Sequence, residues 1–141
     1  MSGFRYDSTG VNPDGYSLLP DNTWHVLEID EALEMTSKSG HPMVKCVCVP
    51  VDPDYVGVRI WHYVTFLPPT EPGAGIAVHW LKTIGEPWEG SIAVKPQSWC
   101  GQRFLAYVTQ EEYKGKKNNK ISKVQSSAAD PPSDYDDPFA N

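Results

Sequence analysis

Residues 57–66 read Gly-Val-Arg-Ile-Trp-His-Tyr-Val-Thr-Phe, a β-branched and aromatic run closed off by Gly57 at its start and by Pro68-Pro69 beyond it. That composition between those breakers predicts a strand. Side chains alternate along a strand, so Val58, Ile60, His62, Val64 and Phe66 share one side, and Arg59, Trp61, Tyr63 and Thr65 the other. The first set is a core face. The second sets a guanidinium beside two large rings, a combination suited to holding a phosphate and stacking unpaired bases. Packing of Trp61 and Tyr63 under a helix or loop is an equally available use of the same pattern, and one strand does not decide between them.

The flanking segments set the architecture. Residues 23–35 alternate imperfectly, with Trp24 and Val26 on one parity and Leu27 and Ile29 on the other, as a strand carrying a β-bulge does. A helix over 26–35 competes on propensity, but the turn cluster at 37–42 and the strand pattern at 43–51 directly after it favour the strand. In 43–51, Val44, Cys46 and Cys48 face one way and Met43, Lys45, Val47 and Val49 the other. A turn at 52–57 then leads into the strand described first, completing a three-strand meander. After the Pro-rich break at 68–73, Ile76, Ala77, Trp80, Leu81 and Ile84 recur at helical spacing, with His79, Lys82 and Thr83 pointing away and Gly85 and Pro87 ending the helix. Residues 86–101 are irregular, with Trp88 and Trp99 as anchors. Residues 103–110 alternate again, and a Gly-containing basic turn leads to a last strand through Val124.

The order β-β-β-α-β-β is that of the OB-fold, a five-stranded, partly open barrel whose middle strands and loops face single-stranded nucleic acid. The predicted organisation is a flexible N-terminal arm over 1–15, an all-β domain with one helix over 16–125, with order beginning near Leu18 and Leu19, and a disordered acidic tail over 126–141.

The net charge of −6 is unevenly spread. The tail contributes four acids, Asp130, Asp134, Asp136 and Asp137, and no base, which leaves the body nearly neutral. Five lysines and no acid fall between Lys114 and Lys123, a local positive field. The three cysteines, an odd number with Cys46 and Cys48 two apart, fit a reducing compartment and buried, inert thiols better than a disulfide framework. No second Cys or His pair follows at zinc-site spacing, so neither a metal nor a cofactor is expected. The longest apolar runs fall far short of the roughly 20 residues that cross a bilayer, and the first 15 residues lack the basic lead and apolar core of a secretory signal. A cytoplasmic protein is expected. His25, His41, His62 and His79 are isolated, and Asp30-Glu31 and Glu111-Glu112 diverge as neighbours on strands. No catalytic residue is therefore assigned, and no enzyme is expected.

Ser37-Lys38-Ser39-Gly40 with Pro42-Met43, Trp61-His62-Tyr63, Ile84-Gly85-Glu86-Pro87, Trp99 with Gly101, and residues 111–116 resemble a phage and prophage family of small OB-fold proteins. The resemblance spans about residues 16–125 and lies in the order of short motifs. It implies single-stranded-DNA binding in phage replication and recombination, inside the bacterial host cytoplasm. The segment Asp134-Tyr135-Asp136-Asp137-Pro138-Phe139 is similar to the acidic Pro-Phe tip of bacterial single-stranded-DNA-binding proteins. That similarity implies a tail that recruits a recombinase, polymerase or helicase, or competes with DNA for the basic surface. Ala140 and Asn141 follow Phe139 here, a departure that removes the terminal Phe carboxylate from any such docking. A solubilising tail is the simpler use of the same residues.

The residues expected to meet nucleic acid are Trp61 and Tyr63 as stacking rings, Lys45, Arg59, Lys114, Lys116, Lys117 and Lys120 as phosphate contacts, and Tyr107, with Trp24, as an extension of the platform. Asp134, Asp136, Asp137, Pro138 and Phe139 are the expected partner contacts. The main alternative is a protein-interaction adaptor for a recombinase or replication protein on the same scaffold. A nuclease or deaminase accessory is a weaker third, for want of a metal cluster. The sequence leaves open whether the chain forms homo-oligomers.

Overall fold

The computed structural model describes residues 3–9 and 18–127. The five expected strands and single helix form in the expected order: β1 (Thr23–Thr36), β2 (Pro42–Pro50), β3 (Ile60–Thr65), α1 (Ala74–Ile84), β4 (Arg103–Tyr113) and β5 (Lys116–Ser126), with short 3-10 turns at Pro53–Tyr55 and Pro96–Trp99. The strands make one antiparallel sheet in the order β3-β2-β1-β4-β5. β3 and β5 are its two edges. They approach one another in space, but no ladder joins them among the described residues, so the sheet is open. Residues 3–9 carry no strand or helix and are exposed.

β1 is long because it serves two partners. Its first half, Thr23 to Glu28, pairs with β4, and Leu27 to Thr36 pairs with β2. A bulge between Ile29 and Glu31 separates the two duties, and it re-aims the chain so that Leu27, Ile29 and Ala32 all reach the core. The predicted bulge is thus present, but four residues beyond the parity change at Val26–Leu27. That change has another origin: Trp24 and Val26 belong to the outer face, which is itself partly apolar. The loop after Trp99 locks onto the bulge, with Ile29 N–H donating to Gln102 O (2.9 Å) and Gly101 N–H to Ile29 O (2.8 Å).

The core lies between the inner face of the sheet and α1. Trp80, Trp99 and Phe104 are fully buried, with Trp80 edge-on to Phe104 at 4.9 Å and 6.1 Å from Trp99. α1 ends at Gly85, in the left-handed region at φ 83°, where its N–H caps Leu81 and Lys82 carbonyls. Three expectations on this side are corrected. Ile76 is 71% exposed, because the helix seats on Ala77, Trp80, Leu81 and Ile84 and leaves its first turn outside. Thr83 is buried, since its hydroxyl donates back to His79 O at 2.7 Å and needs no other partner. Trp88 is partly exposed under Lys82, whose Nζ is 5.2 Å from the ring, so of the two tryptophans only Trp99 anchors the irregular segment, with Ile92, Val94 and Pro96 packed beside it.

β3 begins at Ile60 rather than Gly57, because Gly57 sits at φ 97° and turns the chain. β5 runs to Ser126, two residues past Val124 and into the segment assigned to the tail. Cys46 and Cys48 are buried, but Cys100 is exposed, since it follows Trp99 out of the core.

Candidate nucleic-acid interface

β2 and β3 carry one end of the outer face. Their register places Leu33, Lys45 and Tyr63 in one cross-strand row and Glu31, Val47 and Trp61 in the next. Trp61 and Tyr63 are each 51% exposed, a large apolar area left open to solvent by a sheet whose other face packs on α1. Lys45 sits between them, its Nζ 5.9 Å from the Trp61 centroid. At that spacing the cation and the ring face attract. Leu33 and Met35 are also exposed on this face. Their parity is set by the bulge that lies between them and Trp24, so alternation alone does not place them on this face.

Tyr107 pairs with Trp24 across β4 and β1, ring centroids 5.3 Å apart, and its hydroxyl donates to Asn22 Oδ1 at 3.2 Å. It is half-buried, a second aromatic group on the outer face, and Lys123 stands opposite it on β5. Lys114, Lys116, Lys117 and Lys120 are exposed along the β4–β5 hairpin. Lys114 and Gly115 form its two-residue turn, at φ 54° and 78°, the twist-matched geometry that needs positive φ at both positions. Lys114 Nζ lies 5.3 Å over the Tyr113 ring. The lysine run is less isolated in space than in sequence, because β4 sets Glu112 opposite Lys117 and Glu111 opposite Asn118.

Arg59 departs from its expected role. Its Nη2 donates to Asp30 Oδ2 and Glu31 Oε2, both at 3.1 Å. The bulge presents both carboxylates toward it, so a phosphate must displace them. All three groups are about half exposed, and such ion pairs contribute only about 0–1 kcal/mol. Arg103 is likewise held by Glu28 at 3.0 Å. The tail residues Asp134, Asp136, Asp137, Pro138 and Phe139 lie outside the described residues.

Beside Tyr63 the open edge of the sheet forms an apolar cleft of about 490 Å³ between β3, α1 and β5, lined by residues including His62, Gly75, Ile76, Trp80 and Val124. The His62 ring lies 4.9 Å from that of Trp80, tilted by 45°, and burial lowers its pKa to about 4, so it is neutral near pH 7. His79 Nε2 lies 3.3 Å from Val124 O, tying α1 to β5.

Among the described residues no three His, Cys, Asp or Glu side chains gather as metal ligands, and no helix is long and apolar enough to cross a membrane. No protein-family profile matches this chain, and neither does any curated protein.

Proposed function

We propose that the chain binds single-stranded DNA without regard to base sequence, on an OB-fold barrel whose outer β2–β3 face carries the strand, as part of phage DNA replication or recombination in the host cytoplasm. One observation carries the reading: Trp61 and Tyr63 stand half exposed on adjacent outward positions of β3, with Lys45 beside them. Every base has a π-face, so two such rings hold two bases at roughly 1–3 kcal/mol each with little preference among them. Lys45 and the hairpin lysines Lys114, Lys116, Lys117 and Lys120 then track phosphates. Arg59 joins only where a phosphate outcompetes Asp30 and Glu31. The acidic segment around Asp134–Phe139 recruits a recombinase, polymerase or helicase, or occupies the lysine surface when DNA is absent, at the high local concentration a tether gives.

Leu33 and Met35 favour a second reading, since aliphatic groups beside the rings suit a peptide or protein partner and add nothing to phosphate contact. Fluorescence titration with a short oligonucleotide separates the two. Trp61→Ala and Tyr63→Ala should each weaken single-strand binding about tenfold while leaving the melting temperature within a few degrees. The logarithm of affinity should also fall linearly with that of salt, by roughly 0.7 per phosphate engaged. Equal losses of binding and stability would return the rings to a structural role, and salt-insensitive binding would favour the adaptor.

A further inference from the structure

We propose that the cleft between β3, α1 and β5 takes one nucleobase of the bound strand, turned out of the stack that begins on Trp61 and Tyr63. This rests on the reading of the outer face as a single-strand track, and it adds a pocket to it.

The cleft is continuous with that face on both sides. Tyr63, half exposed on the outer face of β3, is also one of its walls. Lys123, another wall, stands opposite Tyr107 in the register of β4 and β5, and Tyr107 in turn faces Trp24. Tyr63 on one side and Lys123, the neighbour of Tyr107, on the other therefore flank this opening, where β3 and β5 approach without pairing. A strand passing from one side to the other crosses the mouth of the cleft.

The chemistry inside suits a planar heterocycle. The walls are mostly apolar and aromatic, with Trp80 and the neutral His62 ring side by side at 4.9 Å. Its polar wall groups are few and already engaged, Ser122 Oγ with Thr109 Oγ1 at 2.9 Å and His79 Nε2 with Val124 O at 3.3 Å, so a base would be held by its faces rather than by its edge. Apolar walls with few convergent polar groups, in a volume of a few hundred Å³, are what small-ligand sites share. Exposed Lys123 on β5 gives the lip the positive charge that a sugar-phosphate backbone complements.

The cleft is also kept open by a glycine. Gly75 lines it from the first turn of α1, and a Cβ there would meet nothing within 4 Å. Its backbone is helical, so no left-handed geometry demands glycine at this position, and glycine is a poor helix former. A larger residue would strengthen the helix and fill the space.

Gly75→Leu is therefore the test, read by titration with a short oligothymidylate at fixed salt beside the wild type and Trp61→Ala. The expected result is a melting temperature equal to or above that of the wild type and an affinity about tenfold weaker. Ile76→Trp, at a mostly exposed wall residue, should give the same loss by occluding the mouth. Replacing one nucleotide at a time by an abasic unit should reveal a position that weakens wild-type binding by a similar factor and has no further effect in Gly75→Leu. Wild-type affinity in both filled variants, or abasic losses that are the same in Gly75→Leu as in the wild type, would overturn the pocket while leaving the outer face intact. No loss in Trp61→Ala, or no single-strand binding at all, would overturn the face and the pocket together.

Discussion

Cys46 and Cys48 point into the core from the same face of β2, and burial raises both thiols, Cys46 to about 12 and Cys48 well above the ordinary range. Cys100 is exposed. Since the thiolate is the nucleophile, a native sample treated with iodoacetamide at pH 8 should take one label, and a denatured sample all three. Two or more labels on the folded protein would mean that β2 opens readily. The Cys-x-Cys spacing made the shared face of the first two legible from sequence, but nothing local marks Cys100, whose exposure depends on how the Trp99 loop docks on the bulge. Arg59 teaches the same lesson in charge. Alternation put it correctly on the outer side, while its two carboxylate partners stand 29 and 28 residues earlier in the chain, at a bulge whose position the pattern did not reveal.

At the level of elements, the segment before β1 is tied to β5 by the side chain of Asn119 and to β4 by that of Gln110. Leu19 N–H donates to Asn119 Oδ1 at 2.7 Å, and Asn119 Nδ2 donates back to Leu19 O at 3.0 Å, a pairing that mimics one rung of a ladder. Gln110 Nε2 adds a bond to the same carbonyl at 2.8 Å. The rung fixes a fully buried side chain in the core. Replacing Asn119 by Ala should cost about 1–3 kcal/mol, the loss of two partly buried hydrogen bonds, seen as a lower denaturation midpoint with a little-changed slope. A loss below a few tenths would show that Leu19 seats by packing alone. Turn chemistry in this hairpin was readable because Lys114-Gly115 can adopt two positive φ values. The helix stop at Gly85 was readable for the same reason, whereas the helix face was misjudged at Ile76 and Thr83. Spacing gives an apolar stripe but not how much of it the sheet can reach.

For the whole molecule, the His62 pKa of about 4 links stability to pH. An unfolded His62, at its ordinary 6.5, takes up a proton that the folded ring refuses. Stability is therefore full above pH 6.5, declines as pH falls toward 4, and changes no further from this source below that. His25, lowered by burial in the same direction, adds to the slope. Between pH 7 and pH 5 the His62 share should be on the order of 1–2 kcal/mol. Urea melts at those two values would reveal it, and His62→Phe should flatten the difference; an unchanged difference would mean that the ring is solvated when folded.

Alternation, glycine and proline placement and one helical stripe were enough to assign the five strands, their order, the helix and the two rings of β3, because each is a property of neighbouring residues. The pairing of Arg59 with acids, the company Glu112 keeps with Lys117, the aliphatic border of Leu33 and Met35 and the cleft where β3 nears β5 came from the curl of the sheet. They depend on which distant segments meet, and that is settled by a bulge and by the packing of Trp80, Trp99 and Phe104 rather than by any local pattern.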